Sequence, residues 1–108
     1  MLYITQGNTE QFTVGPIETA DREPVDLSAA TVKMIIKSAL DDPDAAAVFT
    51  QEIVHSDTNT VLFDMSPSAT RAIEVGHYIV GIKIVWDTGA EREIKRDNVT
   101  VVKGVFHD

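Results

Sequence analysis

Cysteine is absent from the 108 residues. That excludes a disulfide framework, thiolate chemistry and any zinc site built on cysteine. A domain without these staples must hold together by packing, which suits a reducing cytoplasm. Aromatic residues are scarce, with one Trp, two Tyr and four Phe, and basic side chains number 9 against 17 acidic ones, for a formal net charge of −8. Neutralising phosphates needs a basic face, so nucleic acid is not an expected partner. A charge of this size keeps copies of the chain apart, with salt screening much of the effect. No apolar run comes near the roughly 18 residues needed to cross a bilayer, so no membrane insertion is expected. Met1-Leu2-Tyr3-Ile4 is too short, and lacks the basic start, for a secretory leader. Repeats, low-complexity tracts and linkers are also missing.

What is present is an ordinary globular composition, 44% hydrophobic and 24% charged, at a length that suits one domain spanning residues 1–108. Strand patterns dominate. Leu2 to Thr5 is a short β-prone run closed by Gln6-Gly7-Asn8, and Gln11 to Ile17 resumes with Phe12 and Val14 on one face. Glu18 to Glu23 reads as a turn. Pro24-Val25-Asp26-Leu27 leads into Thr31 to Lys37, where Val32, Met34 and Ile36 alternate with Thr31, Lys33 and Lys37, the period-two signature of a half-buried strand. Ile35 interrupts the polar face and marks a candidate contact surface.

Further strands are expected over Val48 to Val54, Thr60 to Met65, Tyr78 to Trp86, Glu91 to Arg96 and Val99 to Phe106, with a bulge at Asp97-Asn98. Ser66 is a good N-cap and Pro67 a good first helical residue, so Ser66 to Glu74 is read as one or two helical turns stopped by Gly76. Strands at intervals of about 8–12 residues are the signal of an all-β, immunoglobulin-like two-sheet sandwich of about seven strands, with a short helical turn before the strand that begins near Tyr78. Tyr78 and Trp86 share the face of Ile82 and Ile84. The Tyr78 hydroxyl is expected to reach a backbone group, as in a tyrosine corner.

Candidate reaction chemistry is thin. Asp41, Asp42 and Asp44 lack the glycine and terminal glutamate of a calcium loop, and Pro43 between them points to a plain turn. His55, His77 and His107 are scattered, whereas a metal site needs them to converge. Ser66 and Ser68 sit in no nucleophile elbow, and helix capping accounts for Ser66. Glu52, Asp64 and Glu74 form an acid pair only in the sense that any acidic chain offers one. The glycines make no phosphate loop. The expectation is a protein with no catalysis, cofactor, metal or small-molecule substrate.

Two stretches carry a resemblance. Gln6-Gly7 followed by Pro24-Val25-Asp26-Leu27-Ser28-Ala29-Ala30-Thr31-Val32 and a lysine-bearing strand to Lys37 is one. Ile73-Glu74-Val75-Gly76-His77-Tyr78 running on to Ile84, then Thr88-Gly89 with Glu93, is the other. Together they resemble the immunoglobulin-like domain at the N-terminus of phage baseplate upper proteins and related small domains of phage tail and virion proteins. The resemblance implies a structural part of a tail, neck or baseplate, made in the host cytoplasm and then carried in the virion. Its partners would be other virion proteins, or further copies of itself, joined through sheet edges and faces. Apolar residues near the two ends of the chain, Leu2, Tyr3, Ile4, Val105 and Phe106, together with Ile35 and Trp86, are the candidate interaction residues. A module that binds cell-surface carbohydrate through Trp86 and loop carboxylates is the alternative.

Overall fold

The computed structural model describes residues 2–105. Seven strands follow one another: β1 (Leu2–Thr5), β2 (Glu10–Val14), β3 (Ala30–Lys37), β4 (Phe49–Val54), β5 (Val61–Met65), β6 (Gly76–Trp86) and β7 (Glu91–Val102), with one short helix, α1 (Pro67–Arg71), between β5 and β6. They form a five-stranded sheet in the order β1-β7-β6-β3-β4 and a two-stranded sheet of β2 and β5. Among the described residues only β1 with β7 is parallel. This is an immunoglobulin-like β-sandwich.

Alternation decides which face is inside. Val32, Met34 and Ile36 of β3 lie opposite Ile84, Ile82 and Val80 of β6, and all six are at most 3% exposed. Val14, Val61, Phe63 and Met65 of the small sheet close over them. Burying an aliphatic side chain of this size is worth about 1.5–3 kcal/mol, so these two strands anchor the core. Leu27, just before β3, is buried as well, at 2% exposed.

Hydrogen bonds tie the first motif stretch to the second. The Gln6 side-chain amide donates to Ile73 O at 2.6 Å, and Gly7 N–H donates to Thr70 Oγ1 at 3.0 Å. Thr70 is fully buried, and its hydroxyl also donates to Asn8 O at 2.8 Å. Ser66 caps α1 by accepting from Ala69 N–H at 3.1 Å, which satisfies one of the free amides at a helix start. The Tyr78 hydroxyl donates to Glu74 O at 2.7 Å, making the tyrosine corner that the sequence leads one to expect. Burial first, and the Glu74 charge second, push the Tyr78 phenol above its ordinary value of 10.0.

Several boundaries differ from the sequence reading. Strand β2 ends at Val14, not Ile17, because Gly15 takes a φ of +123°, outside the strand region. A Cβ on Gly15 would stand 2.7 Å from Asn59 O, so only glycine fits. Helix α1 stops at Arg71 rather than Glu74, and Gly76 is the first residue of β6 rather than a helix stop. The two last strands are one strand, β7. Its bulge lies at Ile94, where Ile82 pairs with Lys95 and Lys83 with Glu93, and not at Asp97-Asn98.

Tyr78→Phe removes only the corner hydroxyl and leaves the Glu74 carbonyl without this partner. We expect a loss of about 1 kcal/mol with the fold intact, read as a lower denaturant midpoint at unchanged slope. An unchanged midpoint would mean that the corner bond adds nothing to stability.

Candidate interaction surfaces

The outer face of the large sheet is built in rows. Glu52, Lys33, Lys83 and Glu93 lie side by side across β4, β3, β6 and β7, and the next row holds Thr50, Ile35, Gly81 and Arg96. Facing lysines repel, and here each turns to a carboxylate. Lys33 Nζ lies 3.2 Å from Glu52 Oε1, and Lys83 Nζ lies 2.6 Å from Glu91 Oε1. Arg96 grips Glu93 with two bonds, at 2.9 and 3.1 Å, and Lys37 Nζ meets Asp44 Oδ1 at 3.0 Å. Four cations and four carboxylates balance on this face, so the whole net charge of −8 belongs to the remaining surface.

Gly81 opens a groove of about 430 Å³ between these side chains, with Ile35 and Ile79 in its lining and Leu40 at its side. A side chain on Gly81 would meet Ile35 Cγ2 at 3.7 Å, an ordinary contact. Ile35, half-buried, thus lines the groove on the outer face.

The other candidate residues are placed unevenly. Ile4 is fully buried and belongs to the core, so it is not a contact residue. Leu2 is half-buried against the core, and Tyr3 stands out on the opposite face at 63% exposed. Val105 is 87% exposed but lies beyond β7, which ends at Val102 and is paired on both sides. Strand β7 is therefore an interior strand and not a sheet edge. Phe106 and His107 lie outside the described residues.

Trp86 packs against the core from the end of β6. Its neighbour Asp87 is engaged with His55 at 3.1 Å. The aspartate loop is held by Lys37, which also donates to Asp42 O at 2.8 Å. His77 bonds Thr100 at 3.3 Å near the opposite end of β6 from the His55–Asp87 pair, so the two histidines do not converge. Among the described residues no group of three or more His, Cys, Asp or Glu is placed to hold a metal ion.

A second surface was not read from the sequence. Two strands leave part of five uncovered, and a slot runs between β2 and β7. One end, about 200 Å³, is lined by Leu2, Gln11 and Phe12 and reaches the core residues Met34, Val80 and Ile82. It continues past Thr13, Val14 and Lys95 into a wider part of about 420 Å³, lined by Gly15 to Glu18 and by Arg92 to Lys95. A signal for it was present: Glu91-Arg92-Glu93-Ile94-Lys95-Arg96-Asp97 carries charge on both faces of a strand, which a fully covered strand does not tolerate.

The chain matches no family model and no curated protein. Among solved structures it is similar to the crystal structure of the PmoD soluble domain from Methylocystis sp., with a TM-score of 0.52 and 12% identity over 93% of this chain and 77% of that one. At this identity the likeness is one of fold.

Two outcomes are expected on the outer face. Gly81→Val keeps β6 and closes the groove, with stability held or raised by at most about 1 kcal/mol; a marked drop in melting temperature would show that the space beside Ile35 is not open. For the pair across β6 and β7, the Lys83 hydrogen bond holds Glu91 below its ordinary 4.5 and the same bond holds Lys83 above its ordinary 10.5. Glu91 therefore stabilises above its unfolded value and loses this as pH falls through its folded value. Lys83 contributes below its unfolded value and loses this as pH rises through its folded one. Glu91→Gln should melt slightly earlier than the parent between about pH 5 and pH 10, and match it in stronger acid or high salt. A difference that persists in acid would place the effect elsewhere.

Proposed function

We propose that this domain is a non-catalytic assembly part that joins other subunits of a phage virion, in the tail, neck or baseplate. The observation that carries the assembly role is the mismatch of the two sheets, five strands against two, which leaves a strand edge and a core-lined slot for another chain to complete. Sheet edges of this kind recruit extended segments. The charge-balanced outer face adds a second place where a partner can approach without meeting the net −8.

The phage context rests on the motif resemblance through Gln6-Gly7, Pro24 to Lys37 and Ile73 to Ile84. Those residues have a physical coherence that supports reading them as one motif, since Gln6 binds the Ile73 carbonyl and Tyr78 binds the Glu74 carbonyl.

The test is capture with the purified chain, tagged at its C-terminus, from cells infected with the phage that encodes it, followed by mass spectrometry and reconstitution with the captured protein. A tail, neck or baseplate subunit that rebinds in purified form is the expected result, along with tail and baseplate genes on either side of this one. A strict monomer across concentration and salt that rebinds no virion protein, or Trp86 fluorescence that shifts with glycans instead, would overturn the proposal.

A further inference from the structure

Hydrogen-bond geometry shows which strand edge is open. Asp64 N–H donates to Gln51 Oε1 at 3.1 Å, across to β4, so it points away from β2. Asp64 is in register with Gln11, which makes theirs a wide pair, not joined by ladder bonds. Gln11, and Thr13 two residues on, must then turn their N–H and C=O groups outward, along the free edge of β2. The other borders are partly spent: Glu10 Oε2 accepts from Thr5 N–H on β1 at 2.8 Å, and Gln51 covers Asp64 on β5.

That open edge forms one wall of the slot. Its floor at the Gln11 end is apolar, through Met34, Val80 and Ile82. Its opposite wall at the Pro16 end carries Arg92 and Lys95. Both are exposed and neither is within ion-pair distance of a carboxylate among the described residues, although Lys95 attracts Asp97 from further off, whereas Glu93 beside them is held by Arg96. Glu18 stands at the far end.

We infer that the slot receives one extended segment of a partner chain, which adds to β2 as a strand, seating apolar side chains beside Gln11 and carboxylates beside Arg92 and Lys95. This rests on the reading of the domain as an assembly part and names the chemistry of its partner. An extended segment fits because the wall offers backbone donors and acceptors at strand spacing, ~3.3 Å per residue, along the 5 residues of β2. The exposed cations Arg92 and Lys95 attract carboxylates at short range, where they outweigh the screened repulsion of the chain's net charge of −8. A second copy of this chain is disfavoured by that same net charge.

The test uses the full chain with a free N-terminus and a blocked peptide, Thr-Val-Thr-Val-Thr-Asp-Thr-Asp, together with its reversed sequence, since either strand direction is compatible with the slot. One of the two should bind, slow amide hydrogen exchange at Gln11 and Thr13, and weaken with salt. Arg92→Glu with Lys95→Glu, two exposed changes away from the core, should weaken binding about tenfold and favour a peptide with lysine in place of aspartate. Thr13→Pro removes an outward N–H, a change that edge strands tolerate, and should weaken binding at least about tenfold.

Failure of both peptides to protect Gln11 and Thr13, or binding indifferent to the charge reversal, would overturn the inference. So would a dimer, seen by light scattering, that Thr13→Pro returns to monomer, because the slot would then belong to a second copy. A chain that rebinds virion subunits yet ignores both peptides loses the slot and keeps the proposed function.

Discussion

Neighbouring strands lie about 4.8 Å apart, so a pair of strands covers less than half the width of five. The rest of this structure follows from that shortage. Over the centre of the large sheet the pair suffices, with Val14, Val61, Phe63 and Met65 lying on the buried rows of β3 and β6. Elsewhere, connecting segments supply the missing cover. Ile17 and Leu27, from the stretch between β2 and β3, and Ile73, just after α1, are all at most 7% exposed although none lies in a strand. Each is held in place by backbone bonds. Ile17 N–H donates to Asn59 O at 2.8 Å, and the Asn59 side chain returns a bond to Ile17 O at 3.0 Å. The Ile73 carbonyl is pinned by Gln6.

Where no segment provides cover, the sheet turns polar. Lys95 of β7 lies in register with the buried Ile82, yet it is exposed. An uncovered aliphatic side chain at that position would leave an apolar strip in water, and a cation there avoids it. The bulge at Ile94 shifts the register so that Arg96 falls beside Gly81 and within reach of Glu93. One irregularity therefore serves both surfaces, since it sets the outer ion pairs and aims Lys95 into the slot. Exposed ion pairs add little to stability, so the balance of charge on the outer face matters more for what approaches it than for holding β-strands together.

Much of this was legible in the residues, and the reasons differ from place to place. The alternation in Thr31 to Lys37 and the apolar face of Tyr78 to Trp86 gave the correct inner face, because a period-two pattern has one reading when one side is buried. The Ser66 cap and the Tyr78 corner were readable because each depends on a short local spacing. Strand ends were read less well. Gly15-Pro16 could be placed inside or after a strand by pattern alone, and steric closeness to Asn59 decided it. The join at residues 97–98 was misjudged because polar residues at a strand interior resemble a break, whereas β7 continues through them with β6 beside it. The interaction residues near the chain ends were chosen for being apolar, and apolarity served the core at Ile4 just as well. The slot went unread because it is a property of two sheets of unequal width, and no single strand records the width of its neighbours.

Many of the charged side chains near the strands are committed. Glu10 serves Thr5, Asp26 serves the Ser28 amide, Asp44 and Glu52 serve lysines, Glu91 and Glu93 serve Lys83 and Arg96, and Asp87 serves His55. The buried hydroxyl of Thr70 is spent on the Gln6–Asn8 turn. A group engaged in this way has less capacity for a new contact, and giving up the bond it has costs about as much as a new one returns. Backbone groups of β2 at Gln11 and Thr13 have no ladder partner, and the cations at 92 and 95 hold no close ion pair among the described residues. An incoming strand there exchanges bonds to water for bonds to the partner without breaking any within the domain, and it covers apolar surface at the same step. That asymmetry favours association at this edge over contacts that must first displace an existing bond.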